Sequence, residues 1–376
     1  MQVILAILVI GGFVLLQRKI YQKYWARNLS FKFSFNRKTL YEGERVLIME
    51  ELENRKFLPL PWLEINITLP RSFISERGKY IQSSETQYRT DIFALPGNKR
   101  LVMETGYICA ARGFYRIPDI KAESFDLLMG GPSRMNFAAD ASVTVFPRPL
   151  AVSELEVPYN KITGDIAMRR FILPDPFEFR GIREYQPYDS FRDINFKASA
   201  RTGELMSNVF DPTVTQEILI ILNVQKYSHV INYPVCEDAI RLAAFLAGYY
   251  IGEGIPVSFA TNGRDCVSGG EAMLRSGLSR THLTNIYEAL ARIDLSMIPK
   301  NLTELPNLTF GNTDDRVVIV ISGYGGADLV EWYDKITAEG RTAMWIAPRG
   351  TGEGQDVPTG RDIVLWEAGR LTGANE

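Results

Sequence analysis

The apolar residues of this chain change their spacing partway along, and that change rules out a single kind of fold. Between Phe31 and about Pro147 they alternate: Phe31, Phe33 and Phe35 share one face, as do Leu63, Ile65, Ile67 and Leu69, with Glu64, Asn66 and Thr68 between them. A two-residue period places every second side chain on the same side of an extended strand. Further strands are expected at 45–52, 88–95, 100–110 and 141–146, with Gly, Pro and Asn between several of them. About seven short strands, each with one apolar face, bury those faces most economically against one another, so 31–148 is predicted to form an all-β, immunoglobulin-like sandwich.

From residue 215 onward the pattern is different. Ile218 to Leu222 is an unbroken apolar run ending at Asn223, as in a strand covered on both faces. Ile240, Ala243, Ala247 and Tyr250, and later Leu283, Ile286, Leu290 and Ile293, recur at helical spacing. Strands are expected at 256–260, 316–321, 342–346 and 362–366, and Asp328 is expected to cap a helix bearing Leu329, Trp332 and Ile336. Strands alternating with helices predict a doubly wound α/β domain over 215–376, with a parallel sheet.

The N-terminus is a third region. Met1 to Leu16 is almost wholly aliphatic, and Arg18, Lys19, Lys23 and Arg27 follow it. Residues 1–17 are read as a transmembrane anchor helix: about 16 residues at about 1.5 Å each give roughly 24 Å, against a hydrocarbon core near 30 Å. In 18–30, Arg18 and Lys19 can extend their charges to the headgroups, and Tyr21, Tyr24 and Trp25 are expected in the interfacial belt. The cations all follow the apolar run, which predicts a single pass through the cell membrane with the body facing the cytoplasm. A cleaved signal peptide is the competing reading, but the basic leading segment and a small-x-small cleavage site are missing.

Composition narrows the function classes. A net charge of -2 and a pI near 6.0, with no basic stripe, argue against nucleic acid as a partner. Cys109, Cys236 and Cys266 are far apart and lack CxxC spacing, so neither a disulfide framework nor a zinc site is indicated. With only His229 and His282, the chain has little general-base capacity near neutral pH. No phosphate loop and no nucleophile elbow is present, and the Gly323, Gly325 and Gly326 cluster fits a tight strand-to-helix turn.

The connecting segment 149–214 carries the densest pattern, GIREYQPYDSFRDINFKASAR from Gly181 to Arg201. Arg180, Arg183, Arg192, Lys197 and Arg201 alternate with Glu184, Asp189 and Asp193, which fits either a docking element or a solvated salt-bridge lattice. Asp189 is expected to cap a short helix whose apolar face holds Phe191, Ile194 and Ala198, with Phe191 and Phe196 buried, Asp193 and Lys197 paired outside, and Gly203 as the stop. The positions Gly181, Arg183, Glu184, Tyr185, Asp189, Arg192, Ile194, Ala200 and Arg201 resemble the signature of the bacterial "domain of unknown function 58" family. Tyr188 stands where that family usually has Gly, and Phe196 where it usually has Trp. Arg112 to Tyr115, the run from Ser124 and the run from Val145 extend the resemblance over most of the chain. It implies a von Willebrand factor A-like α/β domain and, because such proteins are often encoded beside MoxR-type AAA ATPases, such an ATPase as a partner.

In open α/β sheets, ligands collect beyond the carboxyl ends of the strands, where the strand order reverses. A von Willebrand A-like domain that holds a divalent cation there has Asp-x-Ser-x-Ser and a second acid. This chain has Asn223, Gln225 and Tyr227, then Ser322, Gly323 and Tyr324. Amides are poor ligands for a hard cation, so the metal positions read as degenerate and no cofactor is expected. The expectation is a membrane-anchored, non-enzymatic scaffold that binds other proteins. The alternative is a sensor or enzyme at the sheet edge around Asn223, Gln225, Ser322 and Tyr324, with Arg183 or Arg192 holding an anion.

Overall fold

The computed structural model describes residues 2–76, 81–82, 86–150, 179–186, 191–210, 217–225, 233–305, 316–350 and 363–367. It divides into two units, Met1–Arg148 and Pro149–Glu376. Asp189 and Tyr227, singled out in the sequence, lie outside the described residues.

In the first unit, helix α1 (Gln2–Tyr24) runs 23 residues, well past the end of the aliphatic run. At about 1.5 Å per residue that is roughly 34 Å. Val3–Tyr24 is long and apolar enough to cross a membrane, with a mean hydropathy of 2.1. The strands that follow are β1 (Leu29–Phe35), β2 (Thr39–Tyr41), β3 (Arg45–Asn54), β4 (Leu60–Pro70), β5 (Phe73–Ser75), β6 (Ile81–Gln82), β7 (Thr86–Leu95), β8 (Lys99–Cys109), β9 (Gly113–Phe125) and β10 (Ser133–Phe146). They form a β-sandwich of a four-stranded sheet, β1-β3-β8-β5, and a six-stranded sheet, β2-β10-β9-β4-β7-β6. The core is the inward half of each alternation: Phe31 and Phe33, Val46, Ile48 and Leu52, and Leu63, Ile65, Ile67 and Leu69.

Strand β9 carries Pro118, which cannot donate to a ladder. Its partner β10 bulges there: pairing skips from Ala138↔Asp119 to Ala141↔Ile117, and Asp140 adopts φ 41°. The missing N–H falls where the ladder is already interrupted.

Two of the expected interfacial aromatics have a different role. Tyr21 and Trp25 are only 3% and 4% exposed and belong to the sandwich core, and the Tyr21 hydroxyl is 2.7 Å from Ser124 Oγ. The last turns of α1 thus belong to the sandwich, because an amphipathic ring can cap a β-core as well as sit in a headgroup layer. Tyr24 is exposed, with Lys23 Nζ 5.5 Å from its ring centre.

One inward position of β3 is charged. Glu50, 1% exposed, meets Arg89 of β7 across the core, with Oε2 2.7 Å from Arg89 Nη2 and Oε1 2.7 Å from Nη1. Asp91 and the Tyr107 hydroxyl complete the group, at 2.5 Å and 3.3 Å from the guanidinium. Burial holds Glu50 above the ordinary carboxylate range, although Arg89 opposes this. Burial also acts to lower the Arg89 value, but Asp91 and Glu50 outweigh it and hold the guanidinium above its usual value.

In the second unit, β11 (Phe179–Glu184) pairs antiparallel with β12 (Met206–Phe210), and helix α2 (Phe196–Thr202) lies between them in sequence. The remaining strands are β13 (Ile218–Asn223), β14 (Val257–Arg264), β15 (Glu271–Gly277), β16 (Val317–Ser322), β17 (Thr342–Arg349) and β18 (Ile363–Glu367). The helices are α3 (Tyr233–Gly252), α4 (Arg280–Arg292) and α5 (Ala327–Ala338). The sheet order is β15-β14-β13-β16-β17-β18. It is not wholly parallel as expected, because the edge strand β15 runs antiparallel to β14. Leu219, Ile221, Val318, Val320 and Trp345 pack with Leu329, Tyr333 and Ile336 of α5. The alternate residues Ile220, Leu222, Ile319 and Ile321 are equally buried, and α3 lies along β13, β14, β16 and β17. Both faces are covered, which explains the unbroken apolar runs. Asp328 does not cap α5. The N-cap is Gly326, with no side-chain cap bond, and Asp328 Oδ1 accepts instead from the Tyr324 hydroxyl at 3.2 Å.

Candidate functional site: the carboxyl edge of the sheet and the signature segment

Three neighbouring strands of the second unit carry a polar residue at the same level, where β13 and β16 end and β14 runs on to Arg264. Leu222 lies opposite Thr261, so Asn262 follows opposite Asn223, and Asn223 lies opposite Ser322. Order reverses between β13 and β16, which is where such sheets collect ligands. Asn223 and Ser322 were legible in the sequence. Asn262 was missed because it does not close its strand: β14 runs on to Arg264.

These groups are spent on one another. Asn223 Nδ2 donates to Ser322 Oγ at 3.0 Å, and Ser322 Oγ donates to the Tyr324 carbonyl at 2.8 Å while accepting from the Tyr324 N–H at 3.1 Å. Asn223 Oδ1 accepts from the Gln225 N–H at 2.9 Å and from Asn262 Nδ2 at 2.7 Å. Asn262 Oδ1 accepts from the Val224 N–H at 2.9 Å, and its Nδ2 also reaches the Lys300 carbonyl at 2.9 Å. Gln225 Oε1 accepts from the Leu302 N–H at 3.0 Å. The Trp345 indole donates to the Ser322 carbonyl at 2.9 Å. Asn223, Asn262 and Ser322 are 4%, 0% and 0% exposed. Among the described residues no three His, Cys, Asp or Glu side chains are grouped to hold a metal ion. Gly323 follows the network in a tight turn, where an added Cβ would come to 3.0 Å from the Pro348 carbonyl.

The signature segment is built differently from its expectation. Phe191–Asp193, including the backbone of Arg192, forms a 3-10 turn, and α2 begins only at Phe196. Its cap is Asn195, whose Oδ1 accepts from the Ala198 N–H at 2.9 Å, and Gly203 ends it with φ 82°. The expected Asp193–Lys197 pair is therefore split between a turn and a helix. Asn195 also ties the segment to β12: its N–H donates to the Met206 carbonyl at 2.8 Å and its Nδ2 to Asn208 Oδ1 at 2.7 Å. Ser199 Oγ accepts from the Met206 N–H at 2.9 Å, and Ile194, 8% exposed, bridges to Ser207.

Phe191 and Phe196 are 77% and 74% exposed, not buried, and α2 has no buried residue. The short helix is held by hydrogen bonds rather than by an apolar face. The Tyr185 ring lies 5.8 Å from that of Phe191, and the Tyr185 N–H donates to the Leu205 carbonyl at 2.8 Å. Gly181 lies in β11 opposite Val209, Arg183 is exposed and donates to the Glu184 carbonyl at 3.1 Å, and Glu184, Ala200 and Arg201 are exposed.

No family model matches the chain, and no curated protein does. Solved structures that share some of its shape are β-rich domains. A CARDB domain from Pyrococcus furiosus in complex with di-metal ions is 10% identical, covering 30% of this chain and 93% of that one, with a TM-score of 0.19. A non-cellulosomal cohesin from the archaeon Archaeoglobus fulgidus is 10% identical over 34% of this chain and 96% of its own, with a TM-score of 0.22. The seventh type I cohesin of ScaB from Pseudobacteroides cellulosolvens is 13% identical over 32% and 96%, with a TM-score of 0.20. At these scores the likeness carries no weight for what this chain binds.

Proposed function

We propose that this chain is a membrane-anchored protein-interaction module that holds a partner through the signature segment. The observation that carries the reading is the pair Phe191 and Phe196, three-quarters exposed on a segment fixed by the Asn195 and Ser199 hydrogen bonds. Rigid exposed aromatics are what interfaces use as anchors, because little conformational entropy is lost when they are covered. The anchor reading is supported by α1, whose apolar turns are exposed while Tyr21 and Trp25 belong to the sandwich core. Removal of the helix as a signal peptide would have to cut just ahead of those core residues. The cations after the apolar run favour a cytoplasmic body.

The sheet order, with its antiparallel edge strand, supports a von Willebrand A-like second unit, and the internally satisfied edge supports a version that does not depend on a cation. The "domain of unknown function 58" resemblance adds a MoxR-type AAA ATPase as the partner of choice. The test is affinity capture from detergent-solubilised membranes, with the parent beside Phe191→Ala/Phe196→Ala. The expected result is an AAA ATPase recovered with the parent and lost, with unchanged folding, in the variant. Equal recovery from both removes the signature segment as the contact, and absence of the ATPase from both removes that partner.

A further inference from the structure

The sandwich end that receives α1 presents a second apolar feature. Strand β1 starts at Leu29 opposite Asn54, the last residue of β3, and β8 starts at Lys99 opposite the same residue. Strand β4 starts at Leu60 opposite Leu95, the last residue of β7, and Trp62 lies opposite Phe125, the last of β9. The β3–β4, β7–β8 and β9–β10 loops therefore all open at the end where the helix enters. Two of them carry bare apolar side chains: Phe57 is 89% exposed, and Leu127, Leu128 and Met129 are 67%, 56% and 53% exposed.

The β9–β10 loop is held in shape. Asp126, 4% exposed, accepts with Oδ1 from the Leu128 N–H at 3.0 Å and the Gly130 N–H at 2.9 Å, and its carbonyl accepts from the Met129 N–H at 3.1 Å. Its carboxylate is turned inward and the three apolar side chains outward. The loop lies beside α1 at the level of Arg18: a Cβ on Gly131 would stand 3.1 Å from Arg18 Nη2, and one on Gly130 3.6 Å from Arg18 Cδ. One turn further on, Tyr21 fixes the helix to Ser124.

The depth of that level follows from length. Val3 to Leu16 is the uninterrupted apolar stretch of α1. These residues give only about 21 Å of rise, against about 30 Å of hydrocarbon. A bilayer spanned by this helix is drawn towards the Arg18 level, where Leu127 to Met129 sit.

Taking α1 as a membrane anchor, on which this rests, we propose that the β9–β10 loop, with Phe57 at the same end of the sandwich, inserts into the headgroup–acyl boundary of the same bilayer and seats the sandwich against the membrane. The occupant is lipid because the loop continues the exposed apolar surface of α1 and is rigid before contact. Arg18 beside the loop, and Lys19 and Arg27 on the same stretch of chain, are all exposed and supply the charge that anionic headgroups attract.

The full chain with Cys236→Ser and Cys266→Ser, which keeps only the buried Cys109, is given one accessible cysteine in turn by Leu8→Cys, Leu128→Cys or Arg71→Cys, and each is labelled under native conditions with an environment-sensitive fluorophore. Arg71 is exposed at the far end of β4. The proteins are reconstituted in phosphatidylethanolamine and phosphatidylglycerol vesicles, and quenching by nitroxides on the lipid chains is measured. The expected result is deep quenching at 8 and shallow quenching at 128 at least about threefold above that at 71. Leu127→Asp/Met129→Asp should bring the signal at 128 down to that at 71. Quenching at 8 with 128 no different from 71 overturns the loop proposal and leaves the anchor standing. A label at 128 shielded from aqueous quencher yet untouched by lipid nitroxides also overturns it, since protein then covers the loop. No quenching at 8 overturns the anchor reading itself.

Discussion

Placing an acid at the sheet edge, by Asn223→Asp, tests whether that edge is a closed network. Asn223 Nδ2 supplies the hydrogen to Ser322 Oγ, and Ser322 spends its own on the Tyr324 carbonyl. An ionised aspartate has no hydrogen to give, so Ser322 must turn towards it and leave that carbonyl short, a loss of about 1 kcal/mol. The new carboxylate would also be 4% exposed, with the Gln225 N–H and Asn262 Nδ2 as partial compensation. If burial raises its pKa by about two units net, ionisation costs about 3 kcal/mol more, at roughly 1.4 kcal/mol per unit. A carboxyl group raised on folding leaves stability intact below its unfolded value and removes it as pH rises through the folded value. Urea unfolding followed by far-UV circular dichroism should therefore show a deficit of about 4 kcal/mol at pH 8, shrinking to below about 1 kcal/mol near pH 4, where the protonated acid can donate in place of the amide. A variant as stable as the parent at pH 8 without added cation would refute the closed-network argument. Recovery of the deficit on adding Mg²⁺ would replace it with a cation site one substitution away.

Three further outcomes follow from other sites. Arg89→Met strands Glu50 and Asp91 in the sandwich and should cost about 3–5 kcal/mol; because Glu50 is already held above the ordinary range, the deficit should shrink as acid protonates it, and a pH-independent deficit in urea melts would count against the ion-pair reading. Asn195→Ala removes the cap of α2 and the tie to Asn208, so hydrogen exchange over Ala198 to Gly203 should quicken in line with about 1 kcal/mol, and unchanged exchange would show the cap to be dispensable. Burial lowers the Lys56 ammonium to about 8, so at that pH its amine should be acylated ahead of the exposed Lys19 in peptide mass spectrometry, and the reverse order would refute the lowered value.

How much of this was readable depended on whether a local pattern or a distant partner decided the outcome. Strands β1, β3, β4, β7 and β8 and the parallel strands of the α/β sheet stand close to their apolar runs, because solvent on one face or neither leaves a two-residue or continuous pattern. Strand β9 was missed because Pro118 interrupts it, and only the bulge in β10 makes that proline acceptable. Strand β15 escaped because its side chains are at best half-buried and its run reads EAMLRSG, without alternation. Tyr21 and Trp25 looked like belt residues since nothing local says that a β-core lies beneath them. Asn195 was overlooked as a cap because Asp189, an equally good capping type, came first in the chain.

The two candidate sites also differ in what a ligand would have to undo. At the sheet edge, each of Asn223, Asn262, Ser322 and Gln225 already has partners inside the fold, so a new ligand must break several hydrogen bonds before making its own, at about 1–3 kcal/mol for each group left unmet. Phe191 and Phe196 stand under no such constraint. Each ring, when covered, removes on the order of 150 Å² or more from water, worth roughly 4 kcal/mol at about 25 cal/mol per Å² before association costs are subtracted. The frame beneath them, Asn195 to Met206 and Asn208, is already ordered, so little of that gain is lost to fixing the segment. A fold whose sheet-edge groups are satisfied by one another while two aromatic side chains stay in water has its binding free energy available around Phe191 and Phe196, and that is the part of the second unit where a partner should be sought first.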